Sequence, residues 1–268
     1  MIIRLMKSIL RSQFLILLTS LVILLTGCTD LSDNSVEEYS SVHLTYSVKY
    51  KHNDIENNIG EYSITYSFDN DNFYSISEQS NYIISTMGEA MHVKNDKMYN
   101  ISSSNQLLSY HETEENNGKV LYNRNCLFEY VDDVVGVYMS EVRIDTETPT
   151  SSTNDNWDRI LPSHFKISLN NINAMIIYRE PINLSVGLYW FSITPYGFIE
   201  KYTCEAIENK SISQTRNVNC YKIVQSTNVA TAEFWIDEAN QLVEIIQIMP
   251  DDFFVIYSLE SVSCILQE

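Results

Sequence analysis

Apolar and polar residues alternate one by one along much of the chain, which is the pattern of a β-strand with one buried and one solvated face. The clearest examples are residues 44–51, LTYSVKYK, and residues 62–69, YSITYSFD. The Asp- and Asn-rich residues 69–72 follow directly and predict a turn into a third strand at 73–76. A second hairpin is predicted over 90–100, with the KND at 94–96 as its turn.

Three apolar runs near the end of the chain predict a β-meander. They are residues 230–237, 242–248 and 253–259, separated by the short polar segments 238–241 and 249–252. Unlike the earlier strands, these runs are apolar on both faces, so both faces must be shielded from water. We expect the second face to be covered either by a helix and loops of this chain or by an apolar ligand.

One segment departs from the period of two. Apolar residues between Leu127 and Val142 recur at the 3.6-residue spacing of a helix, acidic residues fall on the opposite side, and Asn125 stands at the N-cap position. This pattern predicts a helix over about 126–139. Valine-rich runs also suit sheets, so a strand is the alternative interpretation.

The middle of the chain keeps the β-strand pattern of the segments before it. Residues 145–156 form a polar Ser, Thr and Asn stretch that predicts an exposed loop, and strand-like pieces resume at about 164–169 and 173–179. Residues 189–198, YWFSITPYGF, are the most aromatic stretch, and Pro195 should interrupt a strand ladder there. Such a stretch either presents aromatic rings to a ligand or caps a core.

The first 28 residues have the anatomy of an export signal. Three basic residues precede an apolar block at 14–25 that is too short to span a bilayer, and the tetrad LTGC closes it at 25–28. This tetrad resembles the lipobox of bacterial and archaeal lipoproteins. The resemblance implies that residues 1–27 are a signal peptide and that Cys28 is lipidated. Residues 28–41 would then tether the fold to the cell membrane, on its extracytoplasmic side.

The charge balance excludes some partners. Three of the 17 basic residues lie in the signal, so the mature chain carries 14 Lys and Arg against 35 Asp and Glu, a formal charge of −21. Such a field repels phosphate groups, so we expect no nucleic-acid partner and a body that is held at the membrane by its lipid. Hydrophobic residues make up 44% of the chain, which is far from the composition of a disordered protein.

The succession of strand-like phrases carries a second resemblance. The phrases YSVKY, EYSITYSFDNDNFYSI and MHVKNDKMYNI, followed by CYKIV, ATAEFWIDEANQLVEIIQI and FFVIYSL, resemble the LolA/LolB and LppX-like group of lipoprotein-sorting and lipid-carrier proteins. The resemblance implies a mainly β (α+β) fold, a curved antiparallel half-barrel sheet with one or two helices covering its concave face. Residues 42–268 would form it as a single domain.

The resemblance also implies a binding role. The concave face would accommodate an apolar ligand or a lipid acyl chain, and the candidate lining residues are Tyr46, Tyr66, Phe234, Ile236, Ile245 and Val255. The alternative is a surface protein-interaction scaffold with no small-molecule ligand. In that case a protein partner would dock on the acidic loops or on residues 189–198.

Motifs for catalysis and cofactor binding are missing from the sequence. The mature chain has six glycines and no Gly-rich phosphate loop, its five histidines occur singly, and it contains no G-x-S-x-G motif. We therefore expect no enzyme activity, no cofactor and no metal site.

Four cysteines remain besides Cys28, and an oxidising compartment would allow them to form disulfides in any of three pairings. We favour Cys204 with Cys220, sixteen residues apart on what look like successive strands, which leaves Cys126 with Cys264. Strand geometry could instead keep the thiols apart. The cysteines show no C-x-x-C spacing, which is the spacing that would indicate zinc binding or dithiol exchange.

Overall fold

The structure of the protein is a computed structural model. It describes residues 39–53, 55–68, 74–86, 89–102, 106–143, 158–162, 166–167, 184–193, 199–213, 216–226, 231–238, 241–250 and 253–266. The predicted signal peptide, the lipidation site at Cys28, the loop at 145–156 and the strand at 173–179 lie outside these ranges.

A single sheet contains fifteen β-strands of the described residues. In chain order the strands are β1 (Tyr39–His52), β2 (Ile55–Phe68), β3 (Tyr74–Thr86), β4 (Glu89–Ile101), β5 (Leu107–Asn116), β6 (Lys119–Val131), β7 (Val134–Arg143), β8 (Arg159–Pro162), β9 (Lys166–Ile167), β10 (Tyr189–Ile193), β11 (Ile199–Ser213), β12 (Arg216–Ser226), β13 (Thr231–Asp237), β14 (Leu242–Met249) and β15 (Phe253–Leu266).

Two meanders run outward from the centre of the sheet. The strand order is β8-β7-β6-β5-β4-β3-β2-β1-β15-β14-β13-β12-β11-β10-β9. The first and last strands, β1 and β15, pair along their whole length and so join the two meanders. Neighbouring strands are antiparallel throughout, except for β9 and β10. Because β8 and β9 are unpaired edges of this order, the described sheet is open.

Several predicted elements are confirmed. Residues 44–51 lie in β1 and residues 62–68 in β2, and β2 pairs with β3 from Phe68 opposite Tyr74, as expected for strands joined by a short connection. The three apolar runs of the C-terminal meander are β13, β14 and the first half of β15. The first strand begins at Tyr39, three residues before the predicted start of the domain.

The predicted helix over 126–139 is wrong. Residues Lys119–Val131 and Val134–Arg143 are two antiparallel strands, with Val131 opposite Val134 and a turn at Asp132 and Asp133. Asp132 has a left-handed backbone, with φ of 50°, which Asp tolerates in tight turns. Leu127 is 58% exposed, so the apolar positions that suggested one helical face belong to the two different faces of a hairpin. The many β-branched residues favoured the sheet.

The predicted hairpin over 90–100 is also wrong, because β4 runs without interruption from Glu89 to Ile101. Within the supposed turn, Lys94 and Asp96 are paired with residues of β3 on one side and of β5 on the other. Backbone hydrogen bonds to two neighbours hold polar residues in a central strand despite their low strand propensity. The real turn nearby is Asn117-Gly118, where both residues have positive φ. Asn-Gly is the residue pair that two-residue hairpin loops favour most.

The fold class is therefore corrected in one respect. The described residues form a nearly all-β structure, and the helices that were expected to cover the concave face are not found among them. No helix in this part of the chain is long and apolar enough to span a bilayer.

One face of the sheet carries most of the core. Cross-strand register places its buried side chains in line across successive strands, as in the row Tyr66, Ile76, Tyr99, Tyr110 and Cys126 from β2 to β6. On the other side of β1, the same face bears Phe234 and Ile223. We call it the concave face, because side chains from distant strands meet on it. Its rows of aromatic and aliphatic residues hold the sheet together by burying apolar area.

The opposite, convex face of the C-terminal meander is covered in an unexpected way. Trp235 is only 4% exposed there and packs with Cys220 and Val243. The ammonium groups of Lys210 and Lys222 lie 3.9 and 5.7 Å from the centre of its indole ring. Long lysine side chains can cover apolar surface while their charges stay near water. Lysines therefore shield this part of the second face, where we expected a helix or a ligand.

Substitutions at Asp132 will test the hairpin that replaces the predicted helix. We expect Asp132→Val to lower the free energy of unfolding by about 1–2 kcal/mol, because a side chain branched at Cβ resists a left-handed backbone. Asp132→Gly should be neutral or stabilising. A helix would give the opposite order, since Gly in a helix interior costs about 1 kcal/mol. Urea denaturation measures the free energy of unfolding of both variants. The matched control is Asp133→Val, because the backbone φ of Asp133 is not positive.

Candidate functional site

The concave face contains a cavity of about 340 Å³. Its lining residues come from both meanders: Tyr62 of β2, Glu78, Ser80 and Tyr82 of β3, Asn95 and Lys97 of β4, Ile245 and Gln247 of β14, and Tyr257 of β15. Ligand pockets in proteins typically enclose about 300–1,000 Å³. The cavity is thus large enough for a small molecule or for part of a larger one.

Strong curvature of the sheet creates this cavity. Strands β4 and β14 are five positions apart, which corresponds to roughly 24 Å in a flat sheet at the usual strand spacing. Side chains of both strands nevertheless line the same space. The rings of Tyr62 and Tyr257, which are separated by the intervening β1, are only 5.3 Å apart between centres and meet edge to face. The sheet therefore curves between β4 and β14.

Gly60 allows β2 and β3 to approach closely beside the cavity. It lies opposite Tyr82, and a Cβ atom on it would lie 2.1 Å from the Asn81 carbonyl oxygen and 2.6 Å from the Tyr82 Cα atom. Its backbone N–H donates to the Asn58 side-chain oxygen at 3.0 Å. Any other residue at this position would push against the backbone of β3 and shift Tyr82 in the cavity wall.

Three tyrosines give the cavity an aromatic wall. Burial and the neighbouring Glu78 carboxylate raise the pKa of Tyr62. Burial also raises the pKa of Tyr257, with smaller contributions from Tyr82 and Glu78, and the Tyr257 hydroxyl lies 3.4 Å from Gln247 Oε1. Burial, followed by the charge of Glu114, raises the pKa of Tyr82. All three phenols are therefore neutral at physiological pH.

Charged residues of alternating sign cross the same face in one row. Glu78, Lys97, Glu112, Arg124 and Glu141 lie directly opposite one another on β3 to β7. Arg124 connects its neighbours, with Nη1 3.2 Å from Glu112 Oε2 and Nη2 2.6 Å from Glu141 Oε2. Glu78 is 2% exposed and Glu112 is 5% exposed. Buried charges of this kind are tolerated only when they are paired and hydrogen-bonded.

The two carboxylates around Arg124 are held ionised. Burial alone would raise the pKa of Glu112, but the charge of Lys97 and hydrogen bonds from Tyr110, Asn95 and Tyr122 outweigh it, and the pKa is lowered. Burial acts the same way on Glu141, where hydrogen bonds and charge from Arg143 and Arg124 lower the pKa. The row therefore stabilises the folded state only while these carboxylates are ionised.

One buried acceptor in the cavity wall has no hydrogen-bond partner in the part of the chain that the structure describes. Asn95 donates from Nδ2 to Glu112 Oε1 at 3.4 Å, but its Oδ1 atom is buried and has no hydrogen-bond partner among the described residues. A buried amide oxygen without a partner costs about 1–3 kcal/mol. A donor group on a bound molecule would remove that cost.

The candidate lining residues are divided between the packed core and the cavity. Tyr46, Tyr66, Phe234 and Ile236 share the concave face and are buried without any ligand, and the Tyr46 hydroxyl donates to the Leu242 carbonyl at 2.9 Å. Ile245 lines the cavity. Val255 is half-buried and lies opposite Gln247 on the neighbouring strand. The cavity thus lies in the part of the concave face that carries the polar residues Glu78, Asn95 and Lys97.

Residues 189–193, the described part of the aromatic stretch, do not present all their rings on one surface. Its first five residues are strand β10, so successive side chains point to opposite faces. The Trp190 ring stacks on Tyr202 at 5.5 Å with the planes 5° apart. Tyr189, which is 61% exposed, and Phe191 lie on the convex side, where Lys201 approaches the Tyr189 ring at 5.5 Å.

The predicted disulfides are wrong. Cys126, Cys204 and Cys220 are buried thiols. Cys204 and Cys220 do lie on neighbouring strands, but Cys220 is opposite Glu208, four residues from Cys204, which is roughly 13 Å along a strand. A disulfide needs Cα atoms within about 7 Å. Cys126 is on β6, six strand positions from Cys264 on β15. Burial raises the pKa of the Cys126 thiol to about 11.

The described histidines bond to neutral partners. The Nδ1 atom of His43 lies 2.8 Å from Thr65 Oγ1, and the Nδ1 atom of His111 lies 2.7 Å from Asn125 Oδ1. His52 stacks on Phe253. No group of three His, Cys, Asp or Glu side chains in the described ranges could share a metal ion.

Sequence reasoning missed Glu78, Asn95, Lys97, Tyr82 and Tyr257 as site residues. A signal was present for Glu78, because the alternation that buries Ile76 also places Glu78 on the buried face. Asn95 and Lys97 alternate in the same way with Val93 and Tyr99. A charge at a buried position of a strand indicates a partner or a site. The signal in β4 was hidden because residues 94–96 were interpreted as a turn.

Comparison with known proteins shows the fold alone. The chain is similar to a solved structure described as a beta-barrel-like protein of domain of unknown function DUF1849 from Brucella abortus. The two superpose with a TM-score of 0.60 at 6% sequence identity, over 85% of this chain and 99% of the other. No family model matches the chain. No curated protein matches it either.

The pH dependence of stability will test the charged row. We expect the wild type to lose free energy of unfolding as the pH falls through 4.5 and below, because Glu112 and Glu141 have lowered pKa values and their protonation favours the unfolded chain. Glu112→Gln should cost about 2 kcal/mol at pH 7, where the charge is lost, and progressively less at lower pH. Urea denaturation between pH 7 and 3 gives both curves, with the exposed Glu61→Gln as control. A cost that does not change with pH would contradict the role of the charge.

Proposed function

We propose that this protein is a membrane-anchored, extracytoplasmic binding protein that holds a small amphipathic ligand in the cavity of its concave face. The observation that carries the proposal is the cavity of about 340 Å³ between the two meanders, whose wall combines aromatic rings with hydrogen-bonding groups. A β-barrel-like fold with a space on its inner face is compatible with ligand binding, but many activities use such folds.

The residues that line the cavity indicate a ligand with both an apolar and a polar part. Ile245 and the tyrosine rings offer apolar contact, whereas Glu78, Ser80, Asn95, Lys97 and Gln247 offer polar groups. A plain acyl chain would leave these polar groups buried and without water, which costs free energy. The ligand therefore has a polar part, and its apolar part is short or extends out of the cavity.

The anchor supports a role at a membrane surface. Two acyl chains on Cys28 would hold the protein stably at the bilayer, and its strong negative charge keeps the folded part off anionic headgroups. A binding protein in this position meets ligands that leave or approach the membrane.

The cavity can be tested by filling it. We expect a non-covalent small molecule to be recovered by solvent extraction and mass spectrometry from wild-type protein purified from a lipoprotein-processing bacterium. Ser80→Trp places a large ring in the cavity and should abolish this recovery. Gln79→Trp, on the opposite face of the same strand, should retain it. No bound molecule in the wild type, or equal recovery from Ser80→Trp, would contradict the proposal.

The anchor has its own test. We expect Cys28→Ser to lose metabolic labelling by an alkyne-tagged fatty acid, because the sulfur that would carry the diacylglycerol is gone. The matched control is Cys126→Ser, which removes a free thiol and should remain labelled. Labelling of Cys28→Ser at the wild-type level would refute lipidation at this residue.

A further inference from the structure

The cavity combines an aromatic wall with a deeply buried carboxylate. Tyr62, Tyr82 and Tyr257 line it together with Glu78, which is close enough to Tyr62 and Tyr257 to influence the ionisation of both. Tyr82 in turn acts on Tyr257. The Tyr62 and Tyr257 rings lie 5.3 Å apart between centres, and Tyr82 and Glu78 line the same cavity.

We propose that the cavity binds an organic ammonium group, carried either by a small amine or quaternary ammonium compound or by a lipid headgroup. This inference rests on the proposed function and names the chemistry that the ligand presents. Aromatic rings attract cations through the negative potential of their faces, and cages of such rings recognise quaternary ammonium groups. An ionised Glu78 carboxylate would add electrostatic attraction, which is stronger in a buried environment than in water.

The hydrogen-bonding groups of the wall favour the same kind of ligand. The unsatisfied Asn95 Oδ1 can only accept hydrogen bonds, and so can the carboxylate of Glu78. Gln247 Oε1 faces the Tyr257 hydroxyl. An ammonium that carries N–H donors, or a hydroxyl next to a quaternary nitrogen, would satisfy the Asn95 oxygen.

Lys97 is the one cation among the lining residues, and its charge belongs to the row of charges across the sheet. It lies between Glu78 and Glu112 in that row, and it lowers the pKa of Glu112. Glu114, one row away, adds another negative charge that acts on Tyr82. Arg124 and Arg143 are engaged with Glu112 and Glu141. Four carboxylates, Glu78, Glu112, Glu114 and Glu141, thus face three cations, Lys97, Arg124 and Arg143, and this excess of one negative charge disfavours an anionic ligand.

The test uses the processed, lipidated protein in vesicles of phosphatidylglycerol, a lipid without an ammonium group. Isothermal titration calorimetry compares choline with 3,3-dimethylbutan-1-ol, which has the same shape and no charge. We expect choline to bind at least about tenfold more tightly, because only the cation gains from Glu78 and the rings. Equal binding of the two, or no binding of choline, would overturn the proposal.

Variants locate the effect in the cavity. Glu78→Gln and Tyr82→Leu should each weaken choline binding at least about tenfold and weaken the binding of the neutral analogue less, so that the preference for choline falls. Glu61→Gln, an exposed carboxylate on β2, is the matched control and should have no effect. Thermal unfolding verifies that each variant is folded, and Tyr82→Leu keeps the test decisive if Glu78→Gln is unstable. Unchanged selectivity for choline in both folded variants would overturn the assignment.

A third titrant separates the two sources of the ammonium group. Dihexanoylphosphatidylcholine carries the same headgroup on short acyl chains. Tighter binding of this lipid than of choline supports a lipid ligand, and equal binding supports a free small molecule. Recovery of a bound molecule from the wild type without any preference for the cation would overturn this inference and leave the proposed function standing.

Discussion

The pairing of the first strand with the last is the interaction on which the rest of this structure depends. The side chain of Ser40 and the backbone of Ile265 are joined across 225 residues, and closing a loop of that length costs about 5 kcal/mol of chain entropy. Pairing of β1 with β15 from end to end, with two register shifts, and the hydrogen bond from the buried Tyr46 hydroxyl to Leu242 offset this cost. Without the β1–β15 pair, the two meanders would share no edge. Tyr62 and Tyr257 would then not meet, and the cavity would have only one wall.

The concave face has an apolar region, where side chains are closely packed, and a polar region along the charged row. This division decides where a ligand can bind. The rows that contain Tyr66 and Phe234 fill the apolar region with side chains of the protein itself. The charged row from Glu78 to Glu141 cannot be packed in that way, because its members must stay paired and hydrogen-bonded. The remaining space lies next to this row. The expectation of a purely apolar lining therefore gives way to a small site where aromatic rings and charges occur together.

The sequence predicted much of the fold but only a little of the site. Alternation located β1, β2 and the C-terminal meander, because these strands have one consistently buried face or two. The hairpin of β6 and β7 was missed because its valines also fit a helical period, and β4 was cut in two because its centre is polar. Of the six proposed lining residues, Ile245 alone lies in the cavity wall. The others share its face, so the face was predictable, but the position of the open space on it was not.

By itself, the sequence determined that the protein is a β-rich, strongly acidic chain whose first 28 residues resemble a lipoprotein signal, because composition and local period are properties of neighbouring residues. Tertiary structure alone decided which strands are neighbours, which charges face each other and which cysteines stay apart. Cross-strand register brings together Glu78, Lys97 and Glu112 from three strands, and curvature adds Tyr257 from the other end of the chain. Such contacts depend on pairing between distant segments, and local pattern carries no information about that pairing.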